Sequence, residues 1–330
     1  MSRRRIWVLN LVLPVRYGRV VTGLLLLALL LPVFYSGTSE SSEHTTPALF
    51  FSLIIAYIIP VFSFITAKSC ESLAELRPIL DLDAEAFARA RERLDSIGWP
   101  YTVLLLLFGG VAGSAHISLM RGSPAAALAE TLSGINGALI TVGTLVVWVV
   151  MTTVIVMLIR QAVLFGRLGG SNVRVSLLNT RKLRPFGRVS ISSSLAVIGA
   201  LALFPLIGLE SGLDLMESLP GAIAILGPLV VMFTIPVWPV HRRLAAMKLQ
   251  ELASVNARIA TQLDSTGSID LDSDDLEKIL PLLAYKREIA QASTWPFDSD
   301  NVTTLLFYLI IPPLTWAGAA LIEHLVDAVI

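Results

Sequence analysis

Seven stretches of this chain are apolar over lengths that suit the roughly 30 Å hydrocarbon core of a bilayer. They lie near 20–35, 48–66, 101–120, 136–159, 190–208, 221–240 and 302–322. Inside such a core every backbone amide must be paired within the protein, so helices are the expected solution and an all-α, polytopic membrane fold follows. Charged residues make up only 15% of the chain, against about 25% in soluble domains.

The segments between these stretches alternate in basic content. Arg3, Arg4, Arg5, Arg16 and Arg19 precede the first; 36–47 has no basic residue; Lys68, Arg77, Arg89, Arg91 and Arg93 follow the second. Two more basic segments, 160–188 and 242–287, come after the fourth and sixth, and Arg121 alone breaks the pattern. One topology therefore gathers 24 basic and 17 acidic residues on one side and 1 basic and 8 acidic on the other. The positive-inside rule then predicts seven spans in the cell (inner or cytoplasmic) membrane, with the N-terminus cytoplasmic and the C-terminus outside. Ser2-Arg3-Arg4-Arg5 looks like the start of a twin-arginine signal, but no Ala-x-Ala site follows, so the first span is expected to be retained. Cys70 is the single cysteine, which excludes a disulfide framework.

The two halves carry matching landmarks. Residues 5–21 and 174–190 align without gaps with six identities, among them Gly18/Gly187 and Arg19/Arg188. Pro60 within Ile59-Pro60-Val61-Phe62 answers Pro236 within Ile235-Pro236-Val237-Trp238. Leu80-Asp81-Leu82-Asp83 is echoed by Ile269-Asp270-Leu271-Asp272, and Trp99-Pro100-Tyr101 by Trp295-Pro296-Phe297. Four landmarks in one order predict a parallel 3+1+3 repeat: a first three-helix unit over 1–121, a linker with one span over 122–173, and a second unit over 174–330. Helical cytoplasmic extensions, including a hairpin at 241–297, complete the layout. Two such units are expected to sit about an axis along the membrane normal, a layout used by transporters with sites between the repeats.

Equivalent spans are weakened near mid-bilayer, one by Gly109-Gly110 and one by Pro312-Pro313. Consecutive prolines free the carbonyls of Tyr308 and Leu309, which Thr315, a neighbouring helix or water must satisfy. Gly109, Gly110, Gly113, His116, Tyr308, Pro312, Pro313 and Thr315 are thus the candidates for a pathway or gate. The plainer alternative makes Gly109-x-x-x-Gly113 a helix-packing face and Pro312-Pro313 a static kink. No Asp, Glu, Lys or Arg lies in the middle of a span, which argues against carboxylate-driven proton coupling. His116, between Ser114 and Ser118, reads either as an outer pH-sensitive gate or as an interfacial, hydrogen-bonded histidine.

Asp83 is placed to cap a helix that runs through Ser96 to Gly98. Ala245, Leu249, Leu252, Asn256, Ile259 and Leu263 keep heptad spacing, a seam suited to an oligomeric coiled coil or to a hairpin folding on itself. Asp270, Asp272 and Asp274 have calcium-loop spacing, but Asp275 stands where glycine is needed and Pro281 where the closing glutamate belongs. Arg181, Lys182, Arg184 and Arg188 are spaced to meet anionic lipid headgroups, each worth about 1 kcal/mol.

Enzymatic readings find no support. The four histidines form no HExxH or zinc cluster, and neither a Walker loop nor an intramembrane aspartate pair is present. No metal, cofactor or nucleic acid is expected. Membrane lipids, a second copy of the chain and a cytoplasmic protein are the partners left open.

Trp295-Pro296-Phe297-Asp298, leading into Ile311-Pro312-Pro313-Leu314-Thr315-Trp316, resembles the C-terminal region of a group of prokaryotic polytopic membrane proteins with no assigned function. By topology alone the chain is similar to the insect chemoreceptor channel superfamily, whose last-helix motif it lacks. The expected function is passage of an ion or small solute between the two three-helix units. The alternative is a non-conducting sensor, scaffold or assembly factor that works through its cytoplasmic helices.

Overall fold

The computed structural model describes residues 3–36, 45–171, 173–174, 176–203, 215–266, 273–297 and 303. They are mostly helical. The helices are α1 (Trp7–Asn10), α2 (Gly18–Tyr35), α3 (Thr45–Leu76), α4 (Ala84–Asp95), α5 (Trp99–Met120), α6 (Pro124–Leu132), α7 (Ile135–Ser171), α8 (Arg184–Leu201), α9 (Leu215–Thr266) and α10 (Ser273–Gln291). Strands β1 (Arg3–Arg5) and β2 (Ser96–Gly98) pair antiparallel, with Arg4 opposite Ile97.

Four helices among the described residues, α2, α3, α5 and α7, are long and apolar enough to cross a membrane. They hold the stretches 20–35, 48–66, 101–120 and 136–159. The stretch 190–208 is described as far as 203, within and just past α8; 221–240 falls inside the 52-residue α9; and 302–322 lies outside the described residues apart from Thr303. The four differ in burial: 56% of the span window of α3 is buried, against 17% for α2 and for α5. α3 is therefore the central column. Leu24, Leu25 and Leu29 of α2 and Leu104, Leu107 and Phe108 of α5 point outward, where lipid tails can take the place of water.

α3 packs on α2, α7 and α8; α7 packs on α5 and α9; and α8 packs on α9. One apolar core, built on Ile59, Phe62, Ile65, Met157 and Leu158, lies between the spans. A second core forms at the end that carries the basic segments. There Leu73 and Leu76 of α3, Leu94 of α4, Phe165 of α7, Phe186 of α8, Val240 and Leu244 of α9 and Ile289 of α10 meet. The extensions of α3, α7 and α9 beyond their apolar stretches thus become the pillars of one base. An aliphatic face sustained past the membrane boundary gives each extension something to bury.

Prolines inside α3 and α9 dictate how neighbours approach. Pro60 has no N–H for the carbonyl of Ala56, and Pro239 none for that of Ile235. Each freed carbonyl is faced by a glycine of the adjoining helix. A Cβ placed on Gly23 of α2 would lie 3.1 Å from Ala56 O, and one on Gly166 of α7 would lie 2.6 Å from Ile235 O. Only glycine lets the backbones come this close, and Cα–H groups at such helix crossings offer weak hydrogen bonds of about 0.5–1 kcal/mol.

Several local features differ from the sequence expectation. Asp83 does cap α4, its Oδ1 accepting from the Ala86 N–H at 2.5 Å, but the helix stops at Asp95. Ser96–Gly98 is extended because β1 captures it, and the Ile6 N–H donates to Asp95 O at 2.9 Å. The linker contains α6, capped by Ser123 Oγ accepting from the Ala126 N–H at 3.1 Å and held by an Arg121–Glu130 ion pair. α9 and α10 pack together through a face offset from the heptad seam. Val255 and Ile289 are buried, Lys248 Nζ donates to the carbonyls of Ala290 (2.7 Å) and Ala292 (2.9 Å), and the Tyr285 hydroxyl donates to Glu251 Oε1 at 3.0 Å. That bond to a carboxylate holds the Tyr285 hydroxyl above its usual ionisation range. Leu249, Asn256 and Leu263 of the seam stay exposed.

Replacing Gly166 by Val forces side-chain atoms into the space occupied by Ile235 O. The expected result is destabilisation by about 1–3 kcal/mol, the usual cost of overpacking. It is measured as a lower thermal unfolding midpoint in detergent relative to Gly134→Val, whose surroundings within 4 Å are empty.

Candidate functional site

The glycines of α5 divide by the direction they face. A Cβ on Gly109 would lie 2.7 Å from Val149 Cα, and one on Gly113 would lie 3.0 Å from Leu145 Cδ2 and 3.2 Å from Trp148 Cβ. Both glycines are buried, and both form the seat on which α5 crosses α7. Gly110 points away and meets nothing within 4 Å. His116 lies on the α7 side, its ring centroid 5.5 Å from that of Trp148. Ser114 and Ser118 donate to carbonyls of their own helix, Gly110 O at 2.9 Å and Ser114 O at 2.8 Å, which satisfies their hydroxyls locally. Tyr308, Pro312, Pro313 and Thr315 lie outside the described residues.

The repeat landmarks sit in unlike surroundings. Gly18 follows Tyr17, whose φ of 64° is left-handed, and a Cβ placed on Gly18 would lie 2.0 Å from Leu13 O in a tight turn. Gly187 instead lies under another segment: a Cβ there would come 2.6 Å from Pro296 O and 2.7 Å from the Phe297 ring. Arg19 places its guanidinium 5.6 Å from the Phe64 ring centroid, whereas Arg188 forms an ion pair with Glu75 at 2.6 Å. Trp99 is 58% exposed, with Arg4 over its ring, while Trp295 stacks on His241 at 3.9 Å. Pro60 and Pro236 are both buried within long helices.

Trp295 belongs to an aromatic ladder. Phe233 stacks on Phe297 (5.5 Å, 8°), Phe297 lies next to Trp295 (6.2 Å, 17°), and His241 follows, its Nδ1 3.1 Å from Thr294 O. Trp238 leans on His241 at 5.7 Å. With Gly187 beneath, the ladder clamps the 294–297 segment to α8 and α9. Trp238 and Trp295 remain partly exposed, as aromatic residues at a bilayer interface do.

The best satisfied polar centre was missed by the sequence reading. Gln161 of α7 is 2% exposed; its Nε2 donates to Thr66 Oγ1 and to Leu94 O, each at 3.1 Å, and its Oε1 accepts from Ser69 Oγ at 3.1 Å. One carboxamide thus joins α3, α7 and the last turn of α4, whose carbonyls a helix end leaves unpaired. Gln161 carries no charge, and its only signal in the sequence is a glutamine at the edge of an apolar run.

Serines press α8 onto its neighbours. Ser190 Oγ donates to Phe233 O at 2.5 Å, Tyr57 Oη donates to Ala196 O at 3.2 Å, and the Tyr57 hydroxyl lies against Gly199. Ser193 and Ser194 are buried without a hydrogen-bond partner among the described residues. Among those residues no group of His, Cys, Asp and Glu is arranged to hold a metal.

Gly109→Leu is expected to lower the thermal midpoint in detergent because it drives α5 off α7, whereas Gly110→Leu leaves it unchanged. Gln161→Leu strands the Leu94 carbonyl and two hydroxyls, each unmet buried group costing about 1–3 kcal/mol. Its expected signature is faster amide exchange in α4 than in the unaltered protein. Comparison with family models, with curated proteins and with solved structures found no match.

Proposed function

We propose that this chain is a non-enzymatic, non-conducting multi-pass membrane protein that serves as a scaffold or sensor through a cytoplasmic helical base. The observation that carries the reading is the contact at Gly109 and Gly113. At Gly109 and Gly113 the α5 side of the candidate path is packed against Leu145, Trp148 and Val149 of α7, with no room for a methyl group at Gly109. The polar investment of the fold lies instead in the base, where Gln161 ties α4 to two spans and Lys248 ties α10 to α9. A rigid platform continuous with the membrane helices is suited to holding a cytoplasmic protein partner, or to passing on a shift of α3 against α7.

The topology in this proposal is seven spans in the cell membrane, N-terminus cytoplasmic and C-terminus outside. The charge asymmetry supports it. The parallel 3+1+3 repeat is part of the same reading, supported by element order: a short helical piece, α2, the proline-bearing α3 and α4 precede Trp99, as the 3-10 segment Leu177–Leu183, α8, the proline-bearing α9 and α10 precede Trp295. The differing surroundings of Gly18 and Gly187 make this a likeness of order rather than of contacts.

Purified protein in liposomes is expected to pass none of potassium, sodium, chloride or protons above the rate of empty vesicles. A leak abolished by changing Pro312-Pro313 to Ala-Leu overturns the proposal in favour of permeation along spans three and seven. For sidedness, a membrane-impermeant maleimide in intact cells is expected to label Leu132→Cys and to spare Ser254→Cys, both in a Cys70→Ser background. The opposite pattern reverses the orientation.

A further inference from the structure

We propose that the cleft between the 3-10 turn Arg77–Ile79 and residues 174 and 176–183 binds a phosphate group, carried by an anionic phospholipid of the cytoplasmic leaflet. The cleft has a volume of about 300 Å3; Arg174, Ser176, Asn179 and Lys182 line it over a floor of Pro78 and Ile79. Its frame is fixed by the fold. The Arg174 N–H donates to Ile79 O at 2.8 Å, Val173 bridges Leu80, and Leu177 and Leu183 are buried in the core of the base. Asn179 leaves helical geometry (φ −133°, ψ 57°) and interrupts the 3-10 segment at the cleft.

The lining offers a guanidinium, an ammonium, a carboxamide and a hydroxyl, a donor set matched to the several acceptor oxygens of a phosphate. Asp81 pairs with Arg174 at 3.2 Å and orients it, cancelling one charge. The side chains of Arg174, Ser176, Asn179 and Lys182 are exposed, and those of Ser176, Asn179 and Lys182 form no hydrogen bond or ion pair with any described residue. Leu183, at the rim, leads straight from the 3-10 segment into the 18-residue α8. The segment leads directly into α8, the start of the fifth span in the topology proposed above, which favours a lipid phosphodiester over a free anion as the source. The source assignment rests on the topology proposed above.

The test is isothermal titration of the full chain in maltoside micelles with inorganic phosphate, glycerol 3-phosphate, dihexanoyl phosphatidylglycerol and dihexanoyl phosphatidylcholine. Phosphatidylglycerol is expected to bind saturably, at least tenfold tighter than inorganic phosphate or phosphatidylcholine. Lys182→Glu and the near-isosteric Asn179→Asp are each expected to weaken it tenfold or more, and the exposed control Arg93→Glu to leave it unchanged. Equal affinities for all the anionic probes, with the same loss in both variants, keep the phosphate site and overturn the lipid as its source. No saturable binding, or binding that Lys182→Glu and Asn179→Asp leave intact, overturns the site. Because micelles have no sides, a failure of the topology alters the maleimide pattern and not these titrations.

Discussion

Backbone pairing in an apolar solvent is the constraint from which the rest of this structure follows. Helices satisfy most of it internally, but the prolines of α3 and α9 release carbonyls at Ala56 and Ile235 that have no water to turn to. The chain answers with glycine on the facing helix, Gly23 in one case and Gly166 in the other, and each answer sets how close two backbones lie. α3 is thereby tied to α2, and α9 to α7. Gly109 and Gly113 repeat the device between α5 and α7 without a proline, so close approach of main chains joins the large side chains of α7 in setting its contacts.

At the basic end the solution changes. Beyond the apolar stretches α3, α7 and α9 keep an aliphatic face, and α4, α8 and α10 close over it to make a second core. Hydrogen bonds here come from side chains: Gln161 to the end of α4, Lys248 to the end of α10. Both reach carbonyls that a helix terminus leaves open. The base and the membrane portion therefore share helices but use different means of holding them together.

The helical class and the first four apolar stretches were legible because bilayer thickness imposes a length on sequence, and α2, α3, α5 and α7 carry the stretches expected of them. The cap at Asp83 was legible for a local reason, since a carboxylate before a helical run has one nearby set of donors to accept from. What could not be read were pairings between distant residues. Nothing in Ser96-Ile97-Gly98 announces a strand until Arg3–Arg5 lies beside it, and nothing in the heptad seam says that Lys248 and Glu251 tie α9 to α10 while Leu249 stays outside. Of the site candidates, Gly109, Gly110 and Gly113 looked alike as letters; their difference lies in which way each faces around α5, and the position of α7 decides that. Gln161 went unnoticed because its role depends on three partners drawn from separate helices.

The strand pair β1–β2 has a consequence for how the chain is made. Arg3–Arg5 finds its partner only when Ser96–Gly98 has been synthesised, and everything from Ile6 to Asp95, including α2 and α3, lies in the loop that this pairing closes. The Arg3–Arg5 segment is thus among the last parts of residues 3–98 to settle, although it is translated before the rest of them. Until then its arginines wait as an unpaired edge.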